Sequence, residues 1–99
     1  MNTQIGALHF DADIKLRDLI TEKTNSLEKL FDRIESCKVI LKLEKNKNTE
    51  NKVVEMSVSV PHSQLFAKDK AETFEEAVQL TIDELKQQLK KYKTKMGAY

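Results

Sequence analysis

Phe74, Ala77, Val78, Ile82, Leu85, Leu89 and Tyr92 recur at the spacing of one helix face, over about five turns. Such a stripe is not stable alone in water and needs an apolar surface to cover. Thr73-Phe74-Glu75-Glu76 marks its start as a capping box, the Thr73 hydroxyl serving the third amide and Glu76 reaching back. Leu16, Leu19, Ile20, Leu27, Leu30, Phe31 and Ile34 predict a second amphipathic helix of about five turns, with Asp13 as its N-cap. Two one-sided helices call for a partner that offers one broad apolar face.

The remaining segments supply it. Val39, Leu41 and Leu43 alternate with Lys38, Ile40 and Lys42, and Val54, Met56, Val58 and Val60 alternate with Glu55, Ser57 and Ser59. Period-two alternation predicts half-buried strands, here Cys37–Leu43 and Val54–Val60, antiparallel across the polar loop 46–51. Thr3, Ile5 and Ala7 alternate with Gln4, Gly6 and Leu8 in a first strand. After a turn at Pro61-His62-Ser63, Leu65–Lys70 makes a short fourth strand, with Leu65 and Ala67 inward and Phe66 and Lys68 outward. The order is β-α-β-β-β-α. It predicts an α+β two-layer sandwich, two helices on one face of a four-stranded sheet, as a single domain over residues 1–99 without repeats or linkers.

Chemistry finds little to stand on. His9 and His62 lack company at metal-ligand spacing, and no metal or cofactor is expected. Cys37 is the sole cysteine, so no intrachain disulfide can form and a reducing compartment, the cytoplasm, is expected. No nucleophile motif or glycine-rich phosphate loop is present, and the acids lie among lysines on helix surfaces. The sequence therefore describes a binder and not an enzyme, with no small-molecule substrate. It shows no apolar leader and no run of membrane-spanning length, so no membrane partner is expected.

Net charge is only +1, but its distribution is uneven. In the last helix Glu72, Glu75, Glu76, Asp83 and Glu84 come first, and Lys86, Lys90, Lys91, Lys93 and Lys95 follow. Matching to the helix macrodipole accounts for part of this separation, but that benefit fades within the terminal turn and Lys86 lies well before it. Lys86, Lys90 and Lys93 share one side at i, i+4, i+7, and Lys91 and Lys95 share another. Such a helix can neutralise RNA phosphates, releasing condensed counterions; a solvated helix tail is the other reading. Tyr92 is the one aromatic in the block and its phase is inward, which favours backbone and shape recognition over base stacking. Lys23 falls within the apolar stripe of the first helix. Either its stem packs at the rim, or its cation is held at a helix–helix seam to meet an anion.

The chain resembles the bacterial ribosome hibernation factors, the short hibernation-promoting and ribosome-associated inhibitor proteins. The matching residues are His9-Phe10, Leu16-Arg17 through Lys23, Leu27-Glu28, Phe31-Asp32-Arg33-Ile34, Val39 through Lys45, Leu65-Phe66-Ala67-Lys68, Ile82-Asp83-x-Leu85 and Gln88-Leu89-x-Lys91-x-Lys93-x-Lys95. The resemblance implies the same β-α-β-β-β-α fold, similar in layout to double-stranded RNA-binding domains. It implies a cytoplasmic, monomeric protein that occupies the small ribosomal subunit near the decoding centre and silences translation in stationary phase or starvation by steric occupancy. Carried over, Lys23, Lys86, Lys91, Lys93 and Lys95 would face ribosomal RNA, and helical phase adds Lys90. Glu84 and Gln87 stand where many relatives carry a base, which would weaken or shift the patch, and Phe74 replaces a frequent tyrosine. Ending at Tyr99, the chain corresponds to the short form, which would leave ribosome pairing to a separate factor. Relatives have also been described as modulators of an alternative sigma factor, which leaves a protein-binding role in transcription as the alternative.

Overall fold

The structure is a computed structural model that describes residues 2–8, 10–44 and 51–96. Its elements are β1 (Asn2–Leu8), α1 (Ile14–Leu30), β2 (Ser36–Leu43), β3 (Lys52–Val60), β4 (Ser63–Ala71) and α2 (Phe74–Met96). This is the expected order, and each strand begins one or two residues earlier than alternation alone marks. The reading of His9 as a strand-end residue and most of the polar loop fall outside the described residues.

The helix starts follow local chemistry. Asp13 is extended and its Oδ1 accepts from the Leu16 amide at 2.8 Å, capping α1. The Thr73 hydroxyl accepts from the Glu76 amide at 3.1 Å. The capping box is only half made, because Glu76 is exposed and no bond returns from it to the Thr73 amide. The first helix is also shorter than its stripe. It stops at Leu30, where Phe31 turns extended and its amide donates to the Leu27 carbonyl. Phe31 and Ile34, in the turn that follows the helix, are nonetheless buried in the same core. Apolar spacing therefore outlasts the helix that produced it.

The sheet order is β1-β2-β3-β4, with β1 parallel to β2 and the other pairs antiparallel. One face carries Val39, Leu41, Val54, Met56 and Val58 into the core, against Ile20 and Leu27 of α1 and Val78, Ile82, Leu85 and Leu89 of α2. Each such side chain contributes about 1.5–3 kcal/mol when fully buried. Two inward polar groups are satisfied locally: Thr24 donates to the Thr21 carbonyl and Thr81 to the Ala77 carbonyl. Leu43, expected inward, is 45% exposed at the end of β2. Val53 shows the converse. It points to the open face between Lys42 and Lys70 and is fully buried there, with a Lys42–Glu55 ion pair joining β2 to β3 and a Lys70–Glu44 ion pair drawn across β3.

The two helices run parallel. Phe10 and Phe74 stack at 5.0 Å where both helices begin, and Phe31 meets Tyr92 edge-on at 5.4 Å where both end. This follows from the topology: a parallel β1-α1-β2 unit followed by two hairpin turns returns the chain for a helix in the direction of the first. Both C-terminal ends therefore lie at the same end of the molecule.

Candidate nucleic-acid interface

Parallel packing decides which lysines can act together. Continuing the end-to-end pairing inward places Lys23 of α1 level with Lys86 of α2, and both are half-buried, as side chains at the helix–helix seam would be. Lys29, in the last turn of α1, comes to the same end as the α2 block and shares a surface depression with Lys93. It is a basic residue that sequence spacing did not select, because its neighbour lies more than sixty positions away.

The six predicted residues fall into three conditions. Lys90, Lys91 and Lys95 are exposed, and together with Thr94 they line a shallow surface of about 330 Å³. Lys23 and Lys86 are half-buried. Lys93 is half-buried too, but its Nζ donates to the Leu30 carbonyl at 2.9 Å. That carbonyl belongs to the last turn of α1, where unpaired oxygens and the macrodipole both favour a cation. Lys93 is a clamp between helix ends before it is a phosphate ligand. Among the described residues, the other five ammonium groups make no hydrogen bond or ion pair.

The flank of α2 away from α1 meets β4. Gln88 Nε2 donates to the Phe66 carbonyl at 2.8 Å, and the Tyr92 hydroxyl donates to the Pro61 carbonyl. Pro61 and His62 form the two-residue connection between β3 and β4, so Tyr92 ties that turn to the helix. Further back on this flank, Glu84 lies against Asp69 of β4. Its carboxyl is held above the ordinary carboxylate range by desolvation, then by a side-chain hydrogen bond and like-charge repulsion from Asp69. Glu84 thus sits beside a second acid, Asp69, on the adjoining strand.

Cys37 is buried, and burial pushes its thiol up to about 11, which keeps it protonated at neutral pH. No group of three or more metal-type ligands lies together among the described residues, and no described helix is long and apolar enough to cross a membrane.

The family described as Sigma 54 modulation protein / S30EA ribosomal protein matches residues 3–97. The chain belongs to that family. The ribosome hibernation promoting factor of Pseudomonas putida is 33% identical over 95 residues, covering 96% of this chain and 89% of that protein. The protein of the same name from Azotobacter vinelandii is 35% identical over 95 residues, covering 96% and 85%. That from Escherichia coli K12 is 33% identical over 81 residues, covering 82% and 81%. Among solved structures, a ribosomal subunit interface protein from Coxiella burnetii superposes with a TM-score of 0.85 at 26% identity, covering 95% of this chain and 99% of the other. The Protein Y N-terminal domain of Thermus thermophilus superposes with a TM-score of 0.81 at 20% identity, covering 93% and 99%, and shares the fold. The two-layer sandwich anticipated from alternation and helical stripes is thus the family's own fold.

Proposed function

We propose that this protein is a ribosome hibernation factor: it binds the small ribosomal subunit near the decoding centre and silences translation by occupying space that messenger and transfer RNA need. The observation that carries the reading is the convergence of basic groups from both helices at one end of the molecule, in a chain whose relatives are named for ribosome hibernation. Lys86, Lys90, Lys91 and Lys95, with Lys23 across the seam, supply the phosphate contacts, and Lys93 holds the two helix ends in register. The protein acts as a monomer in the cytoplasm, without turnover or cofactor, and ribosome pairing falls to a separate factor.

Co-sedimentation with ribosomes across a salt series tests this. Affinity should fall steeply with salt, with a log–log slope of about −0.7 to −0.9 per phosphate neutralised. Replacing Lys86, Lys90, Lys91 and Lys95 by Glu should abolish binding while the melting curve stays cooperative. Undiminished sedimentation of that variant would remove the basis for this surface. The acidic first half of α2 and the family's double description support a second reading, a modulator of an alternative sigma factor. Binding to RNA polymerase in the absence of ribosomes and RNA would favour it.

A further inference from the structure

We propose that the groove between the β3–β4 turn and the last turns of α2 holds one unpaired nucleotide of the bound RNA, with His62 closing its rim. This rests on the reading above and specifies a contact within it. The groove has a volume of about 430 Å³, within the range of small-molecule sites, about 300–1,000 Å³. Its lining is divided by chemistry. Pro61, Leu65 and Tyr92 offer apolar surface, and His62, Lys91 and Lys95 offer polar and cationic groups. A flat apolar base with phosphates on either side matches that division, whereas an acidic peptide would leave the apolar lining unused.

Three further observations support the assignment. Lys91 and Lys95 are one helical turn apart, about 6 Å along the axis, so two successive phosphates of an extended strand can be met from one flank. Both are exposed, with no partner among the described residues. The walls are fixed, since Tyr92 is bonded to the Pro61 carbonyl, its ring is braced edge-on by Phe31, and Gln88 is bonded to the Phe66 carbonyl.

The third observation is His62 itself. It occupies the second position of a two-residue hairpin loop with φ of 66°, after a proline whose ring sets the first position near −65°. This is the pattern of a type II turn, which glycine fills without strain. Among the described residues, His62 is the one non-glycine residue with positive φ. An exposed imidazole kept in a conformation that disfavours side chains, at the mouth of a groove, points to work done by the ring; a neutral turn would be better served by glycine. Inward phase at Tyr92 had argued against base stacking. Tyr92 is nevertheless part of the groove lining.

The test uses a fluorescein-labelled single-stranded RNA heptamer and the same heptamer with an abasic centre, read by anisotropy beside ribosome co-sedimentation. The wild-type protein should bind the complete heptamer about tenfold more tightly than the abasic one. His62→Gly should melt at the same or a higher temperature, and should lose most of that preference. Lys91→Gln with Lys95→Gln should weaken both heptamers alike and lower the salt slope by about 1.4. Equal affinity for the two heptamers, binding of neither, unchanged discrimination in His62→Gly, or equal competition by a polyglutamate peptide would each overturn the proposal. If ribosomes still sediment with His62→Gly while wild type shows no base preference, the groove assignment fails alone. If the Lys→Glu variant also sediments unchanged, the underlying reading fails with it.

Discussion

On the flank of α2 that faces α1, Lys93 is half-buried and donates to the Leu30 carbonyl; on the opposite flank Lys91 and Lys95 stand exposed beside a groove, unpartnered. These lysines come from one short block of sequence and differ only in helical phase. What separates them is the environment that phase delivers. Toward α1 lies the C-terminus of a parallel helix, rich in unpaired carbonyls and negative in dipole, which takes up a cation from within the molecule. Toward β4 lies a tight turn whose carbonyl is already occupied by Tyr92, so the ammonium groups there remain available to an outside anion. Equal charge thus serves cohesion on one flank and, under the proposed function, is left for recognition on the other.

Several substitutions would break or sharpen that contrast. The largest expected effect is on recognition: Lys91→Glu with Lys95→Glu should lower ribosome affinity roughly a hundredfold at low salt, with the melting temperature almost unmoved. Next, Lys93→Met removes a charge-assisted bond to a helix terminus and should lower stability by about 1–2 kcal/mol, or roughly 5–10 °C in Tm, with the salt slope of ribosome binding retained. The reverse outcome, an unmoved Tm with weaker sedimentation, would show Lys93 to be a ligand after all. Tyr92→Phe should lower stability by about 0.5–1.5 kcal/mol, and should loosen the turn enough to raise hydrogen exchange at His62 and Ser63.

The smallest effect concerns the acids on the β4 flank. The folded state raises the Glu84 carboxyl, so it holds its proton more tightly than the unfolded chain does. The stability this contributes is present at low pH and is lost as pH rises through the raised value. Asp69→Asn removes the like charge and should raise Tm slightly near pH 7. Thermal melts at two pH values should show the gain shrinking near pH 4; a constant gain would mean that repulsion is not its cause.

Much of this architecture was legible in the sequence, for identifiable reasons. Strict alternation at Val54–Val60 and the unbroken stripe from Phe74 to Tyr92 each permit one structure, and Asp13 and Thr73 mark helix starts by their own hydrogen bonds. The end of α1 was less legible, because Phe31 and Ile34 are buried in the turn and a stripe records burial, not helix. The site was legible as a list of lysines but not as a surface. Spacing along α2 cannot show that Lys93 finds the Leu30 carbonyl or that Lys29 lies nearby, since both depend on the parallel course of the helices. His62 carried a faint signal, a histidine where a Pro-x turn favours glycine, but only the backbone angle gives it weight.

Tyr92 also gives the protein an optical reporter. The chain has no tryptophan and 2 tyrosines, so replacing Tyr99 by Phe leaves a single phenol, set in the wall of the groove. Its emission could be followed during titration with unlabelled oligonucleotides, and a base laid against the ring would quench it. Contacts confined to the lysines at the seam with α1 would leave the signal largely unchanged.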